Sequence, residues 1–246
     1  MTVQSFQEID LAMAATLEQA DVPSPMVRGW LWVILQTIIR SFFNVWLGYR
    51  AIGFQPLEKE GGALILANHQ SFLDPLLIGI PLHRPISFLA RETLFHSPVL
   101  GWILRNTHVM SINQEAASTA SMRQTIRALQ QGYLVGIFPE GTRTENGLMN
   151  ELKPGFTAIV RRAKHPIYPV GIAGAYQALP MKSGFLKPTR VRVVFGKPIT
   201  LAELEQFSGR DQDAALIELV RSRIAACCDA AEIWRKTGKT PAIGEV

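Results

Sequence analysis

The chain has 246 residues, of which 48% are hydrophobic and 18% are charged. A chain of this length accommodates one α/β domain. Because the charged fraction lies below the roughly 25% typical of soluble domains, we expect apolar surface that faces a membrane or a protein partner. The formal net charge of +5 favours acidic partners such as anionic lipid headgroups or an acidic carrier protein. Nucleic acid is not expected as a partner, since no basic run is interleaved with aromatic residues.

The first 50 residues contain the most apolar part of the chain. Residues 1–22 are polar and carry acidic residues, so we interpret them as a lead-in rather than a secretory signal. Residues 29–49 (GWLWVILQTIIRSFFNVWLGY) approach the length of a membrane-spanning helix. However, Arg40 lies near their centre, where an arginine costs about 3 kcal/mol on insertion into a bilayer. A simple membrane span is therefore not expected.

The polar residues of this apolar segment share one side of a helix. Gln36, Arg40 and Asn44 recur every four residues, and residues at that spacing lie on the same helix face. The aromatic residues around them favour the headgroup zone of a bilayer. We predict that residues 23–50 form a membrane-associated segment, an amphipathic helix or a bent helix pair that docks on one leaflet. A helix buried in the core of the domain is the alternative.

Residues 51–246 alternate short apolar runs with amphipathic stretches, which predicts a single α/β domain. We expect a mixed sheet flanked by helices. The expected strands are 63–67, 85–90, 108–112, 133–138, 167–172 and 191–195, and the expected helices include one from residue 92 and those at 115–131 and 211–236. Cys227 and Cys228 are the only cysteines, and adjacent cysteines do not form an ordinary disulfide bridge. This favours a reducing, cytosol-facing compartment.

Two clusters of polar residues follow apolar strands, where ligands usually bind in α/β sheets. The first is residues 68–74 (NHQSFLD), after the strand at 63–67. If Ser71 caps a helix, Asp74 lies in its first turn, from which it can reach the imidazole of His69. A carboxylate on one ring nitrogen leaves the other free to accept a proton. His69 and Asp74 are therefore candidate catalytic residues for acyl transfer to a substrate hydroxyl; the alternative is capping and core hydrogen bonds only.

The second cluster is residues 138–143 (FPEGTR), which follow the strand at 133–138. Gly141 permits the backbone to approach an anion closely. Arg143 is suited to two-point recognition of a phosphate. We therefore treat Glu140, Gly141, Thr142 and Arg143 as candidate substrate-binding residues.

NHQSFLD and FPEGTR, some seventy residues apart, together resemble the paired motifs of the glycerolipid acyltransferase family, which contains the lysophosphatidic acid acyltransferases. Further matches support the resemblance. They are RETL at 91–94, Pro-x-x-Gly-Trp at 98–102, KPG at 153–155 and PVG at 169–171. The resemblance covers about residues 50–200.

The resemblance implies transfer of a fatty acyl group from acyl-CoA or an acyl carrier protein to a lysophosphatidic acid-like acceptor, giving phosphatidic acid in phospholipid biosynthesis. His69 would act as the general base, Asp74 would stabilise the imidazolium, and an N–H of the turn at Gly141 would stabilise the oxyanion. Arg143, helped by Arg91, would hold the acceptor phosphate. Neither a metal nor a cofactor is expected. The implied location is the cytoplasmic face of the cell membrane, as a peripheral or monotopic protein.

One block departs from the family pattern. Where the family usually has Ile-Asp-Arg, this chain has isoleucine followed by Asn113 and Gln114. Because of this departure, the sequence does not specify the acceptor headgroup. It also does not specify the acyl length, the donor or the oligomeric state. Two alternatives remain: a thioester or lipid hydrolase in which the same His–Asp pair activates water, and a non-catalytic lipid-binding membrane protein of the same fold.

Overall fold

The structure, a computed structural model, describes residues 30–59, 61–91, 110–112, 119–181 and 183–242. Its helices are α1 Trp30–Trp46, α2 Asp74–Gly79, α3 Thr119–Gln130, α4 Gly155–Ala163, α5 Ala175–Ala178, α6 Leu201–Leu204 and α7 Asp213–Thr237. Its strands are β1 Arg50–Ile52, β2 Ala63–Ala67, β3 Ile86–Arg91, β4 Met110–Ile112, β5 Leu134–Ile137, β6 Ile167–Ala173 and β7 Arg192–Phe195. Each predicted strand has a counterpart, and α3 and α7 match two predicted helices. The helix predicted from residue 92 lies outside the described residues.

The described strands form one sheet in the order β1-β7-β6-β2-β5-β3-β4. Neighbouring strands run parallel, except that β6 and β7 pair antiparallel, with Val170 opposite Phe195. The predicted mixed sheet flanked by helices is therefore confirmed. Strand β2, which precedes the first motif, lies between β5 and β6 and runs parallel to both. Its carboxyl end consequently opens between the carboxyl ends of its two neighbours.

The residues of β2 alternate between the two faces of the sheet. Ala63, Ile65 and Ala67 pack into the core that contains α1 and α2, whereas Leu64 and Leu66 pack into the core that contains α3, α4 and α7. Both faces of the strand are buried, which is why its sequence is apolar throughout. The sheet is thus the middle of three layers and provides a packed base for the loops at its carboxyl edge.

Helix α1 contacts the domain through a side that includes Gln36. The Gln36 side chain is buried, and its amide donates hydrogen bonds to the carbonyls of Ile80 (3.0 Å) and Leu82 (2.7 Å), just beyond α2. Phe43 is buried on the same helix, whereas Arg40 is exposed. The structure therefore separates two residues that the sequence pattern groups together. Gln36 faces the domain because its amide satisfies carbonyls that would otherwise be buried without a donor.

The outer side of α1 is apolar. Its large hydrophobic side chains are between 41% and 87% exposed, and they are Val33, Ile34, Ile38, Phe42, Val45 and Trp46. A helix with one buried and one exposed apolar side is typical of a segment that lies in a membrane interface. Membrane docking of residues 23–50 stays a prediction. Within the described ranges, no helix combines the length and hydropathy that crossing a bilayer requires.

Candidate active site

The two sequence motifs meet at the carboxyl ends of neighbouring strands. Strands β2 and β5 pair in parallel with Leu66 opposite Ile137, so the chain leaves both strands at the same edge of the sheet. His69 lies two residues beyond β2, and Phe138 directly follows β5. The parallel register therefore brings together two segments that are distant in sequence.

His69 and Asp74 form a hydrogen-bonded pair at the start of α2. Asp74 is fully buried, and its Oδ2 lies 2.9 Å from Nδ1 of His69. The same oxygen accepts the backbone N–H groups of Gln70 (2.6 Å) and Ser71 (2.7 Å). Asp74 thus occupies the first helical turn, and its carboxylate reaches back to the imidazole.

Ser71 is not the N-cap that the sequence predicts. Helix α2 begins at Asp74, and no side chain caps it. The Ser71 hydroxyl instead accepts the N–H of Leu73 (3.3 Å) and donates to the carbonyl of Leu179 (2.8 Å). The helix starts later than a cap at Ser71 would place it, and the carboxylate of Asp74 binds the N–H groups of Gln70 and Ser71 that precede the helix.

The pair leaves one imidazole nitrogen available. An ionised carboxylate only accepts hydrogen bonds, so we assign the shared proton to Nδ1 of His69 and the free lone pair to Nε2. Burial raises the pKa of Asp74, while hydrogen bonds from His69, Ser71 and Gln70 oppose this rise. The His69 side chain is 20% exposed, so a ligand can reach the ring. This arrangement is that of a general base oriented by a carboxylate.

Phe138 restrains the imidazole by stacking. The ring centroids of His69 and Phe138 are 4.0 Å apart, and the ring planes differ by 14°. Phe88 of β3 stacks on Phe138 in turn, with the centroids 5.7 Å apart. Such contacts restrict the tilt of the imidazole, while Asp74 restricts its rotation. Phe138 is not among the predicted site residues, although its position directly after β5 is a signal for it.

Glu140 points into the protein, and its side chain is almost fully buried. Its Oε1 accepts the backbone N–H of His69 (2.6 Å), and its Oε2 accepts the N–H of Asn150 (2.8 Å). The carbonyl of His69 in turn accepts the N–H of Thr144 (2.9 Å). Burial raises the pKa of Glu140, and the hydrogen bonds from Asn150 and His69 lower it. The structure thus places this predicted substrate-binding residue where its carboxylate holds the backbone of His69, in the loop after β2.

Gly141 adopts the left-handed conformation that favours glycine, with φ of +70°. Its N–H donates to the carbonyl of Phe138 (3.0 Å) and closes a tight turn. Since that N–H is already bonded, the Gly141 amide itself is not a free donor for an oxyanion. A glycine is needed here because the turn has a positive φ and because a Cβ atom would crowd a neighbouring side chain.

The neighbouring side chain is that of Lys153. A Cβ atom at Gly141 would lie 3.0 Å from Nζ of Lys153, so the ammonium group lies directly beside the turn. Thr142 is exposed and Arg143 is half-buried. The ammonium group of Lys153 beside the turn, together with Thr142 and Arg143 in the residues that follow it, makes this a place where an anion would be favoured. Lys153 is not among the predicted site residues, and its signal is the KPG sequence at 153–155.

Other predicted site features are described only in part. Arg91 is the last residue of β3, which pairs in parallel with β5, so its backbone lies at the same edge of the sheet as the site. Asn113 and Gln114 lie outside the described residues, and the question they raise about the acceptor is unchanged. Across the ranges that the structure covers, no three His, Cys, Asp or Glu side chains are grouped as metal ligands would be.

The chain is similar to known acyltransferases. The family model described as Acyltransferase matches residues 50–173, which is half of the chain. A 1-acyl-sn-glycerol-3-phosphate acyltransferase of Bacillus subtilis is 27% identical over 178 residues, covering 72% of this chain and 86% of that protein. A chloroplastic 1-acyl-sn-glycerol-3-phosphate acyltransferase of Arabidopsis thaliana is 28% identical over 191 residues, covering 71% of this chain and 53% of that protein. The chain thus spans about half the length of the plant relative.

A solved structure shares the fold. The crystal structure of the 1-acyl-sn-glycerophosphate (LPA) acyltransferase from Thermotoga maritima has a TM-score of 0.66 to this chain, with 24% identity and coverage of 79% of each chain. At this level of identity the likeness establishes the fold alone. The family match and the shared fold confirm the resemblance that the paired motifs indicate.

Proposed function

Because the chain belongs to the Acyltransferase family, we propose that it transfers a fatty acyl group from an acyl thioester to the hydroxyl of a lysophosphatidic acid-like acceptor, giving phosphatidic acid. Family membership makes the chain an acyltransferase; the acceptor, the donor and the residue roles are the proposal. The observation that carries it is the His69–Asp74 pair, whose backbone is hydrogen-bonded to the turn that has Lys153 beside Gly141. The names of the Bacillus and Arabidopsis relatives support the acceptor class.

The proposed reaction is a direct transfer with His69 as general base. Nε2 of His69 takes the proton of the acceptor hydroxyl as the hydroxyl oxygen bonds to the thioester carbonyl carbon. Asp74, hydrogen-bonded to Nδ1, stabilises the imidazolium that forms. The C–S bond then breaks, and the leaving thiolate takes the proton from His69. No metal and no cofactor of the protein takes part in this scheme.

The turn after Glu140 is the proposed phosphate site. Arg143 can present two N–H groups to a phosphate, and Lys153 adds a second positive charge beside Gly141. Thr144, next to Arg143, donates its backbone N–H to the carbonyl of His69, so the phosphate site and the general base belong to one hydrogen-bonded unit. We propose that Thr142 contributes its hydroxyl and that Arg91, at the end of β3, supports the phosphate.

The proposed location is the membrane surface on the cytoplasmic side. Both the acceptor and the product are membrane lipids, and the outer side of α1 presents exposed apolar side chains. An interfacial helix of this kind would hold the site at the level of the lipid headgroups. The donor, acyl-CoA or an acyl carrier protein, would then approach from the aqueous side.

The function is tested by incubating the detergent-solubilised protein with palmitoyl-CoA or palmitoyl-acyl carrier protein and a panel of lysophospholipids. We expect thiol release that depends on the acceptor, together with a phosphatidic acid product when the acceptor is lysophosphatidic acid. Thiol release at the same rate without an acceptor would instead establish a hydrolase. Vesicle binding without turnover from either donor would establish a non-catalytic lipid-binding protein.

Arg143→Ala should selectively weaken the binding of acceptors that carry a phosphate. A hydrogen bond to a charged partner is worth about 1.5–3 kcal/mol, so we expect the KM for lysophosphatidic acid to rise by about ten- to a hundredfold. The KM for monoacylglycerol, which carries no phosphate, should change little. Arg127→Ala, at an exposed arginine of α3, is the matched control. An equal loss with both acceptors would show that Arg143 does not bind the phosphate.

A further inference from the structure

Residues 183–190 lie along the carboxyl end of α1. Nε1 of Trp46 donates to the carbonyl of Leu186 (3.2 Å). The backbone N–H of Val191 donates to the carbonyl of Leu47 (3.0 Å). Two segments that are well separated in sequence therefore form one continuous surface beside the edge strand β1.

Large apolar side chains project from both segments. Phe185 is 83% exposed and Val45 is 87% exposed. Phe42 and Trp46 are partly exposed and stack on each other, with ring centroids 6.2 Å apart. Exposed apolar side chains that lie together, unlike isolated ones, indicate a surface that binds a membrane or another molecule. Tryptophan and phenylalanine in particular favour the bilayer interface.

Arginines gather just beyond the carboxyl end of α1, where Arg192 donates to the carbonyl of Gly48 (2.6 Å) and Arg190 lies beside Gly48. Arg50 begins β1 opposite Arg192 of β7, and both Arg50 and Arg190 are exposed. Burial lowers the pKa of Arg192, and the nearby positive charges of Arg50, Arg190 and Arg235 lower it further. Arg235 is paired with Glu232. In the part of the chain that the structure describes, neither Arg50 nor Arg190 has a carboxylate partner. The cluster therefore carries uncompensated positive charge.

We propose that residues 183–190 and the carboxyl end of α1 form a second docking element that binds a bilayer of anionic phospholipid. Phe185 enters the acyl region beside the exposed side chains of α1, while Arg50, Arg190 and the equally exposed Lys187 contact lipid phosphates. This inference rests on the proposed function, since it adds to α1 a specific anchor and a preference for anionic lipid. A second docking segment would also define how the domain is oriented on the bilayer, because contact through α1 alone would let the domain rotate about the helix axis.

An anionic bilayer fits this surface better than an acidic carrier protein does. A basic patch alone would suit either partner, because both carry clustered negative charge. Here, however, the arginines gather at Gly48, two residues beyond α1. Val45, in the last turn of α1, and Phe185, next to the residue that accepts from Trp46, are almost fully exposed. Burying those side chains beside phosphates requires an apolar layer immediately beneath an anionic one, which is the arrangement of a lipid headgroup region.

The apolar part is tested by Phe185→Ser in flotation of the full chain with vesicles that contain phosphatidylglycerol. We expect about tenfold weaker binding, since a buried phenylalanine side chain contributes strongly to transfer from water. Leu201→Ser, at an exposed leucine of α6 on the other face of the sheet, is the control and should bind as the wild type does. Equal binding by the wild type and Phe185→Ser would overturn the proposal.

The charged part is tested by the double variant Arg50→Gln, Arg190→Gln. We expect about tenfold or greater loss of binding to phosphatidylglycerol vesicles and little change with pure phosphatidylcholine, because each basic side chain near an anionic surface contributes separately. Arg123→Gln, Arg127→Gln on α3 makes the same charge change elsewhere and should retain binding. Equal loss in both lipids would overturn the proposal. If this double variant binds vesicles normally but has a raised KM for an acyl carrier protein donor, the proposal is also overturned, and the arginines bind the carrier protein instead.

Activity in detergent micelles separates this inference from the proposed function. Phe185, Arg50 and Arg190 lie outside the active site, so all four variants should transfer acyl groups in micelles at the wild-type rate. Far-UV circular dichroism should show an unchanged fold in each. If the wild type is inactive in micelles, the proposed function fails while the vesicle result stands by itself.

Discussion

His69→Ala should lower kcat for acyl transfer by about 10³-fold or more. Nε2 is the nitrogen that is free to take the acceptor proton, because Nδ1 is held by Asp74 at 2.9 Å. Without it the hydroxyl must attack while still protonated or lose its proton to water. The measurement is single-turnover acyl transfer in detergent micelles, with lysophosphatidic acid as the acceptor.

A second histidine provides the control. His83 lies on the surface beside Glu58, with 62% of its side chain exposed, so His83→Ala should retain full activity. Thermal unfolding of both variants shows whether each remains folded, since His69→Ala also removes the stacking on Phe138. A folded His69→Ala enzyme with near-normal turnover would rule out His69 as the general base.

Asp74→Asn should lower kcat by about 10²–10⁴-fold while the KM for the acceptor stays nearly constant. An asparagine oxygen can still accept the N–H groups of Gln70 and Ser71, so the start of α2 is retained. The negative charge that stabilises the His69 imidazolium is lost, however. The effect should therefore appear in the chemical step and not in acceptor binding.

The matched control for this charge change is Asp229→Asn on the exposed side of α7. It should leave both kcat and the KM unchanged. Comparing the unfolding temperatures of the two variants separates a catalytic loss from a folding loss. A fall in kcat that disappears when the fraction of folded Asp74→Asn enzyme is taken into account would assign Asp74 a structural role only.

Glu140 and Asp74 are two buried carboxylates that bind the same loop, the one after β2 that carries His69. Asp74 binds the imidazole and the two N–H groups that follow His69. Glu140 binds the N–H of His69 itself and reaches Asn150 on the other side. Burial raises the pKa of both groups, and the hydrogen bonds from the His69 side chain and from backbone N–H groups offset this rise only in part. The carboxylate of the second motif thus holds the backbone of His69 in the first motif.

Features that depend on neighbouring residues were predictable from the sequence. The strands follow from runs of apolar residues, because a strand buried on both faces needs apolar side chains at every position. The His69–Asp74 contact is also local: five positions separate the two residues, and the loop before α2 closes over that distance. The paired motifs and their spacing were sufficient to indicate the acyltransferase family, which the family match confirms.

Only the tertiary structure decided which way several side chains face and what they contact. Glu140 meets His69 because β2 and β5 are adjacent and parallel, and no local pattern encodes that strand order. Gln36 is buried because the end of α2 presents carbonyls to it. Phe138 stacks on the imidazole because β5 ends beside β2. Composition and periodicity determine which residues can form strands, helices and acid–base groups, whereas burial and hydrogen-bond partners depend on long-range register, which local patterns do not specify.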